Sequence, residues 1–174
     1  MKLAFGHIRR QEGFSLVEIA LAVLLVTVLL TAVLALYGRG VNAWNYGEKR
    51  AEVNDSLRIG MDRLGRELRE ATALSPATTA SELRFYGRDG MQIRYFIYNS
   101  ADGNQLNREK VDEAGTNKPV ASNLTGLSLT YSPYGPGPDI TKSDLVTVTL
   151  TGRDKDEKLD PVAMTTTVRL RAYN

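Results

Sequence analysis

The stretch FSLVEIALAVLLVTVLLTAVLALY, Phe14 to Tyr37, decides the architecture of this chain. It is apolar throughout except for one charge, Glu18. As a helix rising about 1.5 Å per residue it spans roughly 36 Å, enough to cross a hydrocarbon layer of about 30 Å. Lys2, Arg9 and Arg10 precede it, opposed only by Glu12. The positive-inside bias then predicts a single span, with the N-terminus cytoplasmic and everything after the span extracytoplasmic.

Three readings compete for such a segment. It can be a plain signal-anchor helix, or a secretory signal peptide cleaved after the small-residue site Val33-Leu34-Ala35. Both leave Glu18 without a purpose. A carboxylate inside an apolar helix costs about 2.5–3.5 kcal/mol even on lenient insertion scales, and such residues are usually functional. The third reading gives the glutamate a role.

The string Glu12-Gly13-Phe14-Ser15-Leu16-Val17-Glu18 resembles the prepilin cleavage and methylation motif, GF[ST]LxE, of type IV pilins, type II secretion pseudopilins and competence pseudopilins. The resemblance implies that a prepilin peptidase cuts between Gly13 and Phe14 on the cytoplasmic side and methylates the new amine of Phe14. Glu18 becomes the fifth mature residue, about one helical turn from that amine, where a carboxylate also meets the favourable end of the helix dipole. In the family, this glutamate is expected to pair with the terminal amine of a neighbouring subunit. Pairing offsets much of the penalty that each buried charge would suffer alone. The implied partners are other pilin or pseudopilin subunits, the peptidase, the inner-membrane assembly platform and, before assembly, membrane lipid. No cofactor or metal is implied.

Length and composition narrow the rest. The 174 residues suffice for one domain and an anchor. The net charge of +2 is concentrated in the leader; without residues 1–13 the acidic and basic residues balance. A neutral body argues against a nucleic-acid surface, which needs clustered cations. The chain has no cysteine, which removes disulfides, thiolate zinc sites and cysteine nucleophiles. Its one histidine, His7, lies in the leader, so the folded body has no imidazole for a triad or metal site. The chain reads as a structural protein, not an enzyme.

Beyond Tyr37 the helical period continues in a polar context. Leu57, Met61, Leu64, Leu68 and Ala71 fall on one face. Asp62 with Arg66, Arg63 with Glu67, and Arg66 with Glu70 are spaced as ion pairs on the opposite side. Pro76 predicts a stop near Ser75, and Gly38-Arg39-Gly40 with Gly47 predict a looser stretch after the membrane. After residue 80 the pattern turns to strands. Leu83 to Tyr86 and Met91 to Tyr98 flank an Asp89-Gly90 turn, and Gln105 to Lys110 follows Asp102-Gly103-Asn104. Leu127 to Tyr131, Leu145 to Thr151 and Met164 to Arg171 complete the set, with a Pro/Gly loop from Pro133 to Pro138.

The expected class is therefore α+β: a long N-terminal helix, its first half transmembrane, packed on a small antiparallel β head. The expected segments are a leader at 1–13, a span at 14–37, an amphipathic continuation at 38–75 and a β head at 76–174. Within the superfamily the chain is most similar to J-type minor pseudopilins and PilW-like minor pilins. Met61-Asp62-Arg63-Leu64-Gly65-Arg66-Glu67-Leu68, Leu83-Arg84-Phe85, Leu124 to Tyr131 and Val168-Arg169-Leu170-Arg171 carry that finer likeness. The presence of Glu18 argues against the K-type tip pseudopilin, and the missing cysteines point to a minor rather than a major subunit.

Two other signals are weaker. Asp154, Asp156, Glu157 and Asp160 crowd one loop, but Lys155 and Lys158 interleave them and no EF-hand spacing appears, so a solvated hairpin loop is preferred to a calcium site. Tyr86, Tyr95, Tyr98, Tyr131 and Tyr134 would suit either an adhesive or nucleic-acid surface or ordinary sheet packing. The functional expectation is a minor subunit that initiates or caps a pilus or pseudopilus. The alternatives are a subunit with a binding role in DNA uptake or adhesion, and an unrelated signal-anchored extracytoplasmic domain.

Overall fold

The structure, a computed structural model, describes residues 13–100, 103–133, 141, 143–156 and 158–170. The leader with His7, the tip of the Pro/Gly loop with Tyr134, and Glu157 lie outside the described residues. The chain divides into two compact units, Met1–Asn45 and Tyr46–Asn174. In the first, the described residues from Leu16 onward are helical; they form the start of α1, which spans Leu16–Arg69. Gly38, Gly40 and Gly47, expected to loosen the chain, are all helical.

Among the described residues, the second unit holds the rest of α1 and eight antiparallel strands. β1 (Ala73–Leu74), β2 (Glu82–Tyr86), β3 (Gln92–Ser100), β4 (Gly103–Lys110) and β5 (Lys118–Ser122) form a five-stranded meander in chain order. β6 (Leu124–Pro133), β7 (Ser143–Gly152) and β8 (Val162–Arg169) form a three-stranded sheet, also in chain order. The class is α+β, a long N-terminal helix on antiparallel sheet.

The predicted helical stripe is the core contact. Leu57, Met61, Leu64 and Leu68 are buried in one cluster with Leu83, Phe85 and Tyr95 of the first sheet and Val146, Val148 and Leu150 of the second. On the other side of α1, Asp62 pairs with Arg66 at 2.8 Å and Arg63 with Glu67 at 3.5 Å. The helix meets both sheets at Gly60. A Cβ there would lie 3.1–3.3 Å from side-chain tips of Leu106, Leu124 and Leu150, so absence of a side chain lets the backbone approach. Gly152 is tighter still: its Cβ would lie 2.9 Å from Val53 and 3.0 Å from the Asn123 carbonyl oxygen.

Helix α1 ends at Arg69, six residues before the expected stop, so the amphipathic segment runs to 69 rather than 75 and the head begins before 76. Its last turn tightens: the amides of Glu70 and Ala71 donate to the carbonyls of Glu67 and Leu68, three residues back. The chain then pairs Ala73 with Tyr86 and Leu74 with Phe85. This early exit keeps Ala71 and Leu74 buried while the main chain gains sheet partners. Pro76 sets an upper limit on the helix; tertiary pairing sets its end.

The β2–β3 hairpin forms where expected, with Gly90 at φ 75° in the turn. β5 was not expected. Its Pro119 cannot donate to a ladder, and the strand accordingly lies at a sheet edge, next to a register shift at Leu106/Asn107. The sheets are joined by the Leu129 amide donating to the Ala80 carbonyl and by Asn123, which turns the chain between β5 and β6 at φ 59°.

Candidate functional site

The helix start places the motif residues. Ser15 caps α1: its carbonyl accepts the amides of Glu18 at 2.9 Å and Ile19 at 3.1 Å. Residues 13–15 precede the helix and are exposed, with Phe14 retaining 79% of its accessible surface. The Gly13–Phe14 peptide is therefore non-helical and exposed, and beyond its chain neighbours no other described residue lies within 4 Å of the Gly13 Cβ position. Glu18 falls in the first turn, where amides lack helical acceptors and the dipole favours an anion. The order Ser15-Leu16-Val17-Glu18 has the spacing of a capping box.

From Leu16 on, apolar side chains point outward with no protein cover. The most apolar 18-residue stretch has mean hydropathy 3.0 and none of it is buried. This is one helix long and apolar enough to cross a membrane. Its two threonines hide their polarity within the helix: Thr27 Oγ1 donates to the Val23 carbonyl at 2.8 Å, and Thr31 Oγ1 to the Val28 carbonyl at 2.8 Å. Satisfied in this way, neither hydroxyl needs water. Glu18 is left as the one charge between Phe14 and Tyr37.

Beside the Arg169–Asp144 and Lys110–Asp89 pairs, three charged arrangements of the head are each satisfied from within. Arg94 grips Glu82 through Nε at 2.9 Å and Nη2 at 3.0 Å, reaches Glu109 at 3.2 Å and lies 4.1 Å over the Phe96 ring. Burial opposes ionisation of Glu82, yet Arg94 and Arg84 hold its carboxyl below the usual range. Arg108 donates to both oxygens of Glu67, at 2.8 and 3.0 Å, tying the first sheet to α1. Tyr95 lies under that pair, stacked on Phe85 at 6.2 Å; burial, then Glu67, holds its phenol protonated far above the ordinary range.

The third arrangement was not legible in the sequence. Lys49 Nζ lies 2.5 Å from Asp156 and 3.4 Å from Asp154. Asp154 is only 6% exposed, and its other oxygen accepts the Leu159 amide at 2.8 Å. Burial works against the Asp154 carboxylate, but the amides of Leu159 and Lys158 and the Lys49 ammonium bring its pKa below the ordinary value. Lys49 lowers Asp156 in the same way, and its own pKa is raised in return. Lys155, Asp156 and Lys158 of the expected solvated loop are exposed, but its first aspartate is folded inward, and Asp154 and Asp156 meet the Lys49 ammonium. Asp160 stays exposed. Among the described residues no cluster of three His, Cys, Asp or Glu side chains could hold a metal ion.

The tyrosines do not converge on one surface. Tyr95 is buried, Tyr86 and Tyr131 are half-buried, and Tyr131 spends its hydroxyl on the Thr79 carbonyl at 3.1 Å. Of these described head tyrosines Tyr98 is the exposed one. Comparisons of the chain with protein-family models, with curated proteins and with solved structures each return no match.

Proposed function

We propose that this chain is a subunit of a type IV pilus or type II secretion pseudopilus, made as a membrane-anchored precursor and cut between Gly13 and Phe14. Its role is structural, that of a minor subunit that initiates or caps the filament. The observation that carries this reading is Glu18, the one charge in a helical segment whose apolar side chains have no protein cover. An isolated carboxylate there is costly, and pairing with the cationic terminal amine of a neighbouring subunit removes much of the cost. Cleavage after Gly13 creates such an amine on Phe14, and methylation leaves it cationic. The exposed, non-helical junction supports access for a peptidase, and the α+β plan agrees with a helix whose second part carries a head.

On this reading the anchor sits in the inner membrane with the leader cytoplasmic and the head outside. The partners are other subunits, the prepilin peptidase and the assembly platform. Intact-mass and N-terminal analysis after co-expression with a prepilin peptidase tests it. A product starting at Phe14 with one added methyl is expected. A retained leader beside an active peptidase, or a start after Ala35, would overturn the proposal in favour of an anchored or secreted domain of another role.

A further inference from the structure

Among the edge strands of the two sheets, β5 and β8 are built differently. The β5 edge carries Lys118 and Pro119 and abuts a register shift, the usual devices that stop another chain from pairing there. The β8 edge carries none of them. Between Val162 and Arg169 it has no proline, no lysine and no register shift, and among the described residues it pairs only with β7.

The ladder shows which groups β8 leaves open. Thr147 and Thr167 share a hydroxyl hydrogen bond at 3.0 Å, and Thr149 and Thr165 one at 2.9 Å. Side chains come this close at the pairs whose main chains do not bond each other. The Leu170 amide, one position past the Leu145–Arg169 pair, does donate to Asp144, which fixes the same alternation. The amides and carbonyls of Thr165 and Thr167 therefore point away from β7, toward the open edge.

Beside that edge runs a groove of about 390 Å³ between β8 and α1. Met61, Gly65, Met164 and Val168 contribute apolar surface to its lining, with Arg58, Arg69 and Asp62 on the helix side, the Asp62 carboxylate being paired with Arg66 at 2.8 Å. Arg58 has no hydrogen bond or ion pair among the described residues, and Arg69 donates only to the Gly65 carbonyl at 2.9 Å. They stand three helical turns apart, roughly 16 Å, a distance that about five residues of extended chain would cover. Arg169, at the end of β8, is already paired with Asp144 at 3.3 Å.

We propose that the β8 edge and its groove receive an extended, acid-bearing segment of another polypeptide, added as a further strand with its carboxylates on Arg58 and Arg69. Main-chain bonds to Thr165 and Thr167 supply affinity, and the guanidiniums select charge. A second copy of this chain is a poor occupant, because β8 against β8 would bring Arg58, Arg69 and Arg169 of both copies together. The inference concerns the head alone and does not rest on the filament reading.

The test uses the full chain in detergent micelles and short synthetic peptides of alternating valine and threonine, ended by glutamate or by lysine. At millimolar glutamate-ended peptide, the Thr165 and Thr167 amides are expected to become protected from hydrogen exchange. The lysine-ended twin should bind about tenfold more weakly or worse, as should the glutamate-ended peptide on the Arg58→Glu, Arg69→Glu double variant. Thr167→Pro removes an outward amide and the exposed Thr147 hydroxyl bond but no main-chain bond to β7, so the variant should fold and lose binding. Equal binding of both peptides, unchanged binding by Thr167→Pro, or no protection would overturn the proposal. So would concentration-dependent self-association abolished by Thr167→Pro, which would make a second copy the occupant.

Discussion

Lys49 on α1 and Asp156 in the β7–β8 connection meet at 2.5 Å although 107 positions separate them in the chain. The same ammonium lies 3.4 Å from the buried Asp154, so one side chain of the helix closes the far loop of the second sheet. The loop in turn is held by the Leu159 amide on Asp154 and by Arg153, whose Nε donates to the Leu159 carbonyl at 3.0 Å.

Acid should loosen this closure. The folded pKa values of Asp154 and Asp156 lie below their ordinary 3.8, so their contribution is complete above that pH. It is lost as pH falls through the depressed folded values. Lys49 is raised above 10.5, so its contribution is complete below that pH and is lost as pH climbs through the folded value. Thermal unfolding of the micelle-bound chain is expected to be steady across neutral pH and to drop at the acid end. In Lys49→Met the acid drop should be smaller and the neutral plateau lower. Identical acid profiles for the two proteins would show that the contact carries no stability.

Two glycines should respond oppositely to alanine. At Gly152 the added methyl would lie 3.0 Å from a main-chain oxygen and 2.9 Å from Val53, and the main chain cannot step aside cheaply. Gly152→Ala is expected to cost about 1–3 kcal/mol in urea unfolding. At Gly60 the neighbours are leucine side-chain tips at 3.1–3.3 Å, which can rotate. There the gain in helix propensity, about 1 kcal/mol, offsets most of the crowding, and Gly60→Ala should unfold within about 1 kcal/mol of the parent.

Asn123 sits at φ 59° and donates Nδ2 to Glu52 at 3.0 Å. Glycine accepts that backbone conformation and loses only an exposed hydrogen bond, so Asn123→Gly should cost below about 1 kcal/mol. A β-branched residue cannot adopt the conformation without strain, and Asn123→Val should cost about 1–3 kcal/mol by the same unfolding measurement.

For the filament reading, Glu18→Ala is the decisive change. The variant is expected to insert and to be cut at Gly13–Phe14 as the parent is, since apolar length and the junction are untouched. Filaments, counted by microscopy or by crosslinking to partner subunits, should be lost. Normal filament yield from an inserted Glu18→Ala chain would remove the charge-pairing role.

Local patterns made much of the fold legible. Leu57, Met61, Leu64 and Leu68 sit at helical spacing because that spacing is what faces the sheets, and Asp89-Gly90 marks a turn because Gly90 adopts positive φ. Where pairing overrides local preference, reading fails. Ala73–Leu74 joins β2 although nothing in two residues signals a strand, and β5 contains the proline that normally argues against one. In the candidate site, Gly13, Phe14 and Glu18 fall within one six-residue string, so their spacing alone singles them out. Lys49 and Asp154 carry no mutual signal across their separation. The glycines at 60 and 152 announce no close approach until the sheets are in place.

The meeting of α1 with both sheets at Gly60 also has a consequence in time. Leu150, one of the three side chains that close over that glycine, is made about ninety residues after it, an interval of roughly 5–20 s at ribosomal speed of about 5–20 residues per second. Throughout that interval the stripe from Leu57 to Leu68 lacks the cover that Val146, Val148 and Leu150 supply, so the newborn head stays sticky until its second sheet exists. A holdase that shields this one helix face would guard the chain during synthesis, and its release would have to wait for β7.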